Sequence, residues 1–453
     1  MVPAMTRRRF ILGSAELAAF GAMAAACGSA GGSSGGPVQF WEAFNSNDVQ
    51  RYFQKNIIDA YNASHSPKVQ LVIKQINTMP QELKTAVAAG RGPDIIVEDG
   101  PAQALSYVNA NDLLPLDKYA TKYNWSEKLL PWALQTGQVK GKLYSVPNSY
   151  ETLALFYNPK TFSDHGWKVP TNKDEFESVC TEAKGKGIMP LAVGSADWQG
   201  TTEWFVTIFL NSCSGPEAVY QALQGKIKWS DPVFVDAIRL LNSYFQKGWF
   251  GGGVQAYFTN KRATLDAKLA SGKAAMDLDG SWAVAEYAPY FGAKAGNSAT
   301  WDWAEIPSFS NHVPAGVYNL SVGGTFSVNA KSKEPDGAVS LLNWMLSNTK
   351  AQAKALAAVA QEPFPVKLTQ ADFPASVDKR IARMYIDLGR AKNIGYTTWT
   401  FWPPKSDTYI YTSMDKVIAG KMTPLEYLKG LDQVFQPELK AGLVPPLPKP
   451  AST

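Results

Sequence analysis

Histidine and cysteine are scarce in this chain of 453 residues, which has three of each. His65, His165 and His312 stand far apart and without metal-ligand spacing, so the sequence offers no framework for a histidine-bound metal. No Walker A or G-x-G-x-x-G pattern occurs, which removes the usual signatures of P-loop and dinucleotide-binding enzymes. A strong charge of one sign is also missing. Lys and Arg number 44 against 39 Asp and Glu, and Arg7, Arg8 and Arg9 against Glu16 leave the part beyond residue 26 at about +3. Basic residues are scattered and form no cluster interleaved with aromatics, so nucleic acid is not an expected partner. Beyond the N-terminus no apolar run approaches the roughly 20 residues of a spanning helix. At 45% hydrophobic the chain can bury a large core, and its length favours two lobes.

The N-terminus carries its own pattern. Basic Arg7 to Arg9, an apolar run from Phe10 to Ala26 and small residues ahead of Cys27 read as an export signal over residues 1–26. Thr6-Arg7-Arg8-Arg9-Phe10-Ile11-Leu12 resembles a twin-arginine signal, and Ala24-Ala25-Ala26-Cys27 resembles a bacterial lipobox with Ala24 where leucine is usual. Cys27 is then the expected lipidation site, and residues 27–36, nearly all Gly, Ser and Ala, a flexible tether. The blander reading is a cleaved signal followed by a disordered start. Either way the body is exported, and with the lipid it is anchored to the outer face of the cytoplasmic membrane. Cys180 and Cys213 remain. They could pair, but Cys180 lies on an apolar stripe with Phe176, Val179 and Ala183, which suits a buried free thiol equally well.

Hydrophobic periodicity gives a β-α-β-α-β start: strands at Val38 to Trp41, Val69 to Ile76 and Asp94 to Val97, with helices between them. Such alternation predicts an α/β fold with mainly parallel sheets flanked by helices. Further strands fall at Leu143 to Val146, Thr152 to Tyr157, Met189 to Val193, Ala275 to Leu278 and Gly323 to Val328. Thr171 with Asp174 reads as a helix cap, Pro335 opens a helix running to Ser347, and the proline-rich tail after Leu443 is expected to be unstructured.

Aromatic residues are plentiful, with 14 Trp and 19 Tyr. Sugar rings present apolar C–H faces that pack on indole, and hydroxyls that need fixed donors and acceptors, so an aromatic beside an acid or amide meets both demands. The candidates are Trp41 with Glu42, Asp197 with Trp198, Asp279 with Trp282, and Trp399 with Trp402. Any one of them reads as well as a core or surface residue. Trp204 and Trp344, inside apolar helices, read as core. The stretch Gly272 to Val284 is the sharpest candidate, because a buried strand there delivers two aspartates to its end before Gly280 turns the chain into Trp282. Glu42, Glu98, Asp99, Glu151 and Asp279 all fall near strand ends, so paired-carboxylate chemistry also stays open.

Six motifs in order, Pro93-Asp94-Ile95-Ile96, Gly141 to Pro147, Leu155 to Pro159, Pro170-Thr171, Gly272 to Trp282 and Gly323-Gly324, resemble the extracellular solute-binding proteins of ABC sugar importers, of the maltose-binding-protein type. The resemblance covers essentially the whole chain after the tether. It implies a two-lobed periplasmic-binding-protein fold with three hinge crossings, lobe 1 being residues 37–150 and 322–372 and lobe 2 residues 151–321 and 373–453. A carbohydrate would lie in the cleft and the lobes would close on it. By matching position, Glu151 is a sugar-contacting acid, Trp282 a stacking indole, Trp399 or Trp402 another, and Glu98 and Asp99 cleft residues; Tyr150 and Gly323, at the crossings, complete the set with Trp41, Glu42, Trp198 and Asp279. The chain departs from the maltose type at Trp41-Glu42, where that type has a basic residue shortly after its first strand. The implied partners are a small carbohydrate and the permease subunits of an ABC transporter, for a monomer without metal or cofactor. The rivals are an anchored glycan-cleaving enzyme using two of these acids, and a binder of a non-sugar solute on the same fold.

Overall fold

Phe40, opposite Leu71 on one side and Ile95 on the other, lies in the parallel part of the first sheet. The computed structural model describes residues 35–450 except 45–46, 76–77 and 360–361. Arg7 to Arg9, Cys27 and most of the expected tether lie outside the described residues. In chain order the strands are β1 (Val38–Glu42), β2 (Val69–Ile73), β3 (Ile95–Glu98), β4 (Gln138–Val139), β5 (Lys142–Leu143), β6 (Ser145–Pro147) and β7 (Leu153–Tyr157). After these come β8 (Met189–Leu191), β9 (Ala274–Gly280), β10 (Asp302–Ala304), β11 (Tyr318–Leu320), β12 (Thr325–Val328) and β13 (Ile394–Tyr396). Val38 and Phe40 are fully buried, which is why this alternating segment is held as a strand. Lys140 and Gly141 both take positive φ, +50° and +76°, the turn that joins β4 to β5 in a tight hairpin.

Two lobes follow from the sheets. The first has the order β2-β1-β3-β12-β6 and the second β10-β7-β9-β8, with helices packed on both. The parallel expectation holds for β1 with β2 and β3, and for β8 with β9, but β12 runs antiparallel to both β3 and β6, and β7 runs antiparallel to β9 and β10. Both sheets are therefore mixed. Apolar patterning marks a buried strand without encoding its direction, and the strands adjoining the two crossings enter against their neighbours.

The chain passes from the first sheet to the second between Pro147 and Leu153 and re-enters the first between Leu320 and Thr325, coming from β11, which pairs with β13 in a separate two-stranded sheet. These two passages are tied to each other. Glu151 N donates to Ser321 O at 3.0 Å, Ser321 N to Glu151 O at 3.1 Å, and Asn148 N to Gly324 O at 2.9 Å. Further on, the Asp372 carboxylate accepts from Thr349 Oγ1, and in the helix Lys379–Arg390 the carbonyl of Arg380 accepts from Trp303 Nε1.

The second lobe has an aromatic core. Phe205, Phe245, Phe250 and Tyr257 interlock with ring centroids 4.6 to 6.2 Å apart, and burying each stabilises the lobe by about 1.5–3 kcal/mol. Pro335–Ser347 is helical, as its spacing predicts. The helix Lys173–Gly185 starts later than Thr171 suggests: Asn172 is the cap, its side chain accepting from Glu175 N at 3.0 Å, while Thr171 donates from N and Oγ1 to Glu175 Oε2. Residues 444–450 have no regular structure but are docked, with Tyr396 Oη donating to Pro448 O at 2.6 Å in the interior. Cys180 and Cys213 are both free, Cys180 buried. Among the described residues no helix is long and apolar enough to cross a membrane, and no cluster of side chains could hold a metal.

Candidate functional site

Parallel pairing of β1 with β3 carries the C-terminal ends of both strands to one edge of the first sheet, where an open α/β sheet holds its ligands. Glu42, Glu98 and Asp99 meet there, on a cavity of about 620 Å³. Asn148, Ser149, Glu151 and Gly323 supply its floor from the two tied crossings, and Trp282 and Glu286 reach it from the second lobe. A Cβ at Gly323 would meet the carboxylate end of Glu151 and the hydroxyl of Ser149, so a side chain there would push both from their present places.

The acids of this cavity differ in exposure: Glu98 is buried, Glu42, Glu151 and Glu362 are half-buried, and Asp99 and Glu286 are exposed. Burial pushes the carboxyls of Glu42 and Glu98 up to about 8, and shielding by the cleft walls raises Asp99. Glu98 is 1% exposed; its Oε2 accepts from Thr325 Oγ1 at 2.8 Å, while its Oε1 has no hydrogen-bond partner. Glu362 is held well above the usual carboxylate range by burial and then by the neighbouring charge of Glu151. Ser281 and Tyr385 donate to Glu362 Oε1 at 3.1 and 3.4 Å. Ser321 Oγ donates to Glu151 Oε2 at 2.8 Å and accepts from Trp399 Nε1 at 2.6 Å. Protonated acids and ordered hydroxyls together offer donors as well as acceptors to a polyhydroxylated ligand.

Six of the sequence candidates, Glu42, Glu98, Asp99, Glu151, Trp282 and Gly323, line this one cavity. The other six do not. Trp41 follows the alternation of β1: with Glu42 turned to the cavity, Trp41 turns away, packs beside the cluster of Leu83, Val87 and Ile96, and carries Lys74 Nζ 3.9 Å above its ring. Tyr150 alternates with Glu151 in the same way and is fully buried against Tyr385, donating to Tyr385 O at 3.1 Å. Asp279 is also fully buried. It pairs with Arg262, which also meets Asp266 at 2.9 Å, Asp277 at 3.6 Å and Glu286 at 3.0 Å, so Asp279 is an internal counter-charge and not a hydroxyl acceptor. Trp402 is 1% exposed and packs on Trp229, making it core. Trp399 stands behind the lining, edge-on to Trp282 and bonded to Ser321. Trp198 is 53% exposed and outside the cavity, lying on Trp204.

Trp198, Trp204, Trp282 and Trp399 form a row with centroid separations of 5.6, 5.1 and 6.1 Å. Trp204 is thus part of an aromatic row near the cleft and not plain core, and Trp344, also expected in the core, lines the cavity beside Tyr52 and Phe53. Both sit on helices whose apolar character hid their exposed edges. Glu362 and Glu286 carried no sequence signal: one follows a helix in a loop, the other ends a one-turn helix, and only the fold brings them in.

The profile of the family described as bacterial extracellular solute-binding protein matches residues 44–352. The multiple sugar-binding protein of Streptococcus mutans is 27% identical over 259 residues, covering 54% of this chain and 57% of that protein. The chain spans about half the length of the curated relatives it matches. Among solved structures, a chitin oligosaccharide binding protein superposes with a TM-score of 0.74 at 21% identity, covering 90% of this chain and all of that one. The sugar-binding protein MalE from Xanthomonas citri does so with a TM-score of 0.71 at 19% identity, covering 90% and 98%. These likenesses establish the two-lobed fold.

Proposed function

Because the chain belongs to the bacterial extracellular solute-binding protein family, which is non-enzymatic, we propose that it captures a mono- or oligosaccharide in the cleft and delivers it to the permease of an ABC transporter. One observation supports the carbohydrate above all: the indole of Trp282 and the carboxyls of Glu42, Glu98, Asp99 and Glu151 face a single cavity that touches both hinge passages. The naming of relatives for multiple sugars and of a structural neighbour for chitin oligosaccharide supports the same class. A disaccharide of about 23 heavy atoms at roughly −0.3 kcal/mol per atom gives about −7 kcal/mol, an affinity near micromolar and suited to scavenging.

Residues 37–150 with 322–372 form one closing lobe and residues 151–321 with 373–453 the other in this reading. Cys27 carries a lipid that holds a monomer at the outer face of the membrane through the tether of residues 27–36, after export through the twin-arginine signal. Titration calorimetry with a panel of mono- and oligosaccharides, followed by chromatography of the recovered sugar, tests the function. Saturable binding with the sugar returned intact supports it; released product, or binding confined to peptides and other non-sugar solutes, refutes it.

A further inference from the structure

Glu362 reaches the cavity from a segment built onto the first sheet. The residues after it are fastened there by backbone and ring contacts. Pro363 O accepts from Tyr150 N at 3.2 Å, Pro365 O accepts from Leu130 N at 2.8 Å, and Phe364 lies against Phe326 of β12 with ring centroids 5.8 Å apart.

The carboxyl of Glu362 is gripped from the other side. Its Oε1 accepts from Ser281 Oγ at 3.1 Å and, more loosely, from Tyr385 Oη at 3.4 Å, and both hydroxyls belong to buried residues. Ser281 follows the last residue of β9 and stands directly before Trp282, the indole on the cavity. Its N donates to Thr152 O at 2.9 Å and its Oγ accepts from Thr152 N at 3.4 Å, which sets the direction of the hydroxyl. Tyr385 sits on the helix Lys379–Arg390, which is packed on the second sheet: Met384 shares an apolar cluster with Ala154 and Phe156 of β7, and Arg380 O takes the bond from Trp303 of β10. One carboxyl oxygen, carried by a segment of the first sheet, thus gathers two hydroxyls from elements of the second.

We propose that Glu362 is a positioning residue for solute binding: its carboxyl fastens the Ser281–Trp282 turn of the second sheet to the wall of the first, and so fixes where the indole of Trp282 stands across the cavity from Glu42, Glu98 and Asp99. A binding group is useful only when its own support holds it in place, and here that support crosses from one sheet to the other. The role requires an acceptor at this place and not a charge, so the amide of glutamine serves and an aliphatic side chain of similar size does not. This rests on the carbohydrate reading of the cleft, to which it adds what holds the stacking indole in register.

Two measurements on the full-length chain test it. The first is hydrogen exchange of the Ser281 amide in the sugar-free protein, which reads the fastening directly because that amide is bonded to Thr152 O. The second is calorimetric titration with the tightest binder among glucose, galactose, maltose, cellobiose and di-N-acetylchitobiose. Glu362→Leu is expected to speed the exchange about tenfold and to weaken sugar binding about tenfold. Glu362→Gln is expected to recover most of both losses. Ser281→Ala with Tyr385→Phe should weaken binding as Glu362→Leu does, and should add less than about a further twofold in the Glu362→Leu background, since all three groups act as one unit. Where Glu362→Leu does not fold, Ser281→Ala, which removes the closer donor, is held to the same tenfold effects. Exchange and affinity unchanged in Glu362→Leu overturn the proposal, as do losses in Glu362→Gln as large as in Glu362→Leu, or losses that add in full when the variants are combined. If none of these sugars binds the parent, the carbohydrate reading and the role in sugar binding both fall, and exchange alone decides whether Glu362 fastens the turn.

Discussion

Trp282 and Trp402 both stand beside acids or aromatics in the sequence, yet the fold gives them opposite roles, and truncating each separates binding from stability. Trp282 is half-buried: its indole lies over Gly280, where a Cβ would overlap the ring, and meets Trp204 at 5.1 Å and Trp399 at 6.1 Å, leaving its remaining surface on the cavity. If about 100 Å² of the ring is covered by these neighbours, Trp282→Ala forfeits about 2.5 kcal/mol of folding stability at 25 cal/mol per Å². The face turned to the cavity is a central aromatic anchor, whose loss costs about 2 kcal/mol of binding, or roughly thirtyfold in affinity. Trp402 is 1% exposed on Trp229, so Trp402→Ala costs about 3–5 kcal/mol of stability and leaves the affinity of the folded fraction within about twofold. Urea denaturation read by far-UV circular dichroism gives the first quantity, and calorimetric titration with the best-bound sugar gives the second. Equal losses of affinity in the two variants would refute the assignment, as would unchanged affinity in Trp282→Ala.

Other expectations follow from the buried charges and the hinge. Glu42 and Glu98 have folded-state carboxyls raised from 4.5 to about 8, so the empty protein holds protons that the unfolded chain releases; its stability is fully present below about pH 4.5 and declines as pH rises toward 8. Glu98→Gln, which keeps an acceptor for Thr325, should flatten that decline and be more stable than the parent at pH 8 by on the order of 1 kcal/mol or more in urea titrations; an unchanged pH profile rules this out. Arg262→Met leaves Asp266, Asp277 and Asp279 buried without their cation and should cost about 3–5 kcal/mol, whereas a loss under about 1 kcal/mol would show that these acids are not held as an ion network. Trp399→Phe keeps the ring but removes the bond to Ser321, which in turn holds Glu151; sugar affinity should fall about fivefold with little change in stability, and no change in affinity would disconnect Trp399 from the site.

The two-lobed architecture was legible because it depends on patterning that the sequence states openly. Alternating burial in Val38 to Glu42, the apolar run at Leu153 to Tyr157 and the spacing of Ala338, Leu341, Leu342 and Met345 each fix one element. Strand direction was not legible. Nothing in Thr325 to Val328 says whether it runs with or against β3, because a strand buried on both faces looks the same read either way.

At the site, legibility followed the period of the strand. Trp41 and Glu42 read as an aromatic with its acid, and Tyr150 and Glu151 both stand at a crossing, but residues adjacent in an extended segment point to opposite sides, so only one of each two faces the cleft. An aromatic and an acid serve one ligand when a turn or a helix intervenes, as at Trp282, or when they come from different elements, as Trp344 and Glu362 do. Asp279 fails for a second reason: its cation, Arg262, lies on a helix 17 residues earlier, and the pairing exists only because the chain turns between them and β9 returns beside it. A carboxyl at a strand end is open to a ligand where it faces the cavity, as those of Glu42, Glu98 and Asp99 do, and closed to one where an internal cation claims it, as Arg262 claims Asp279.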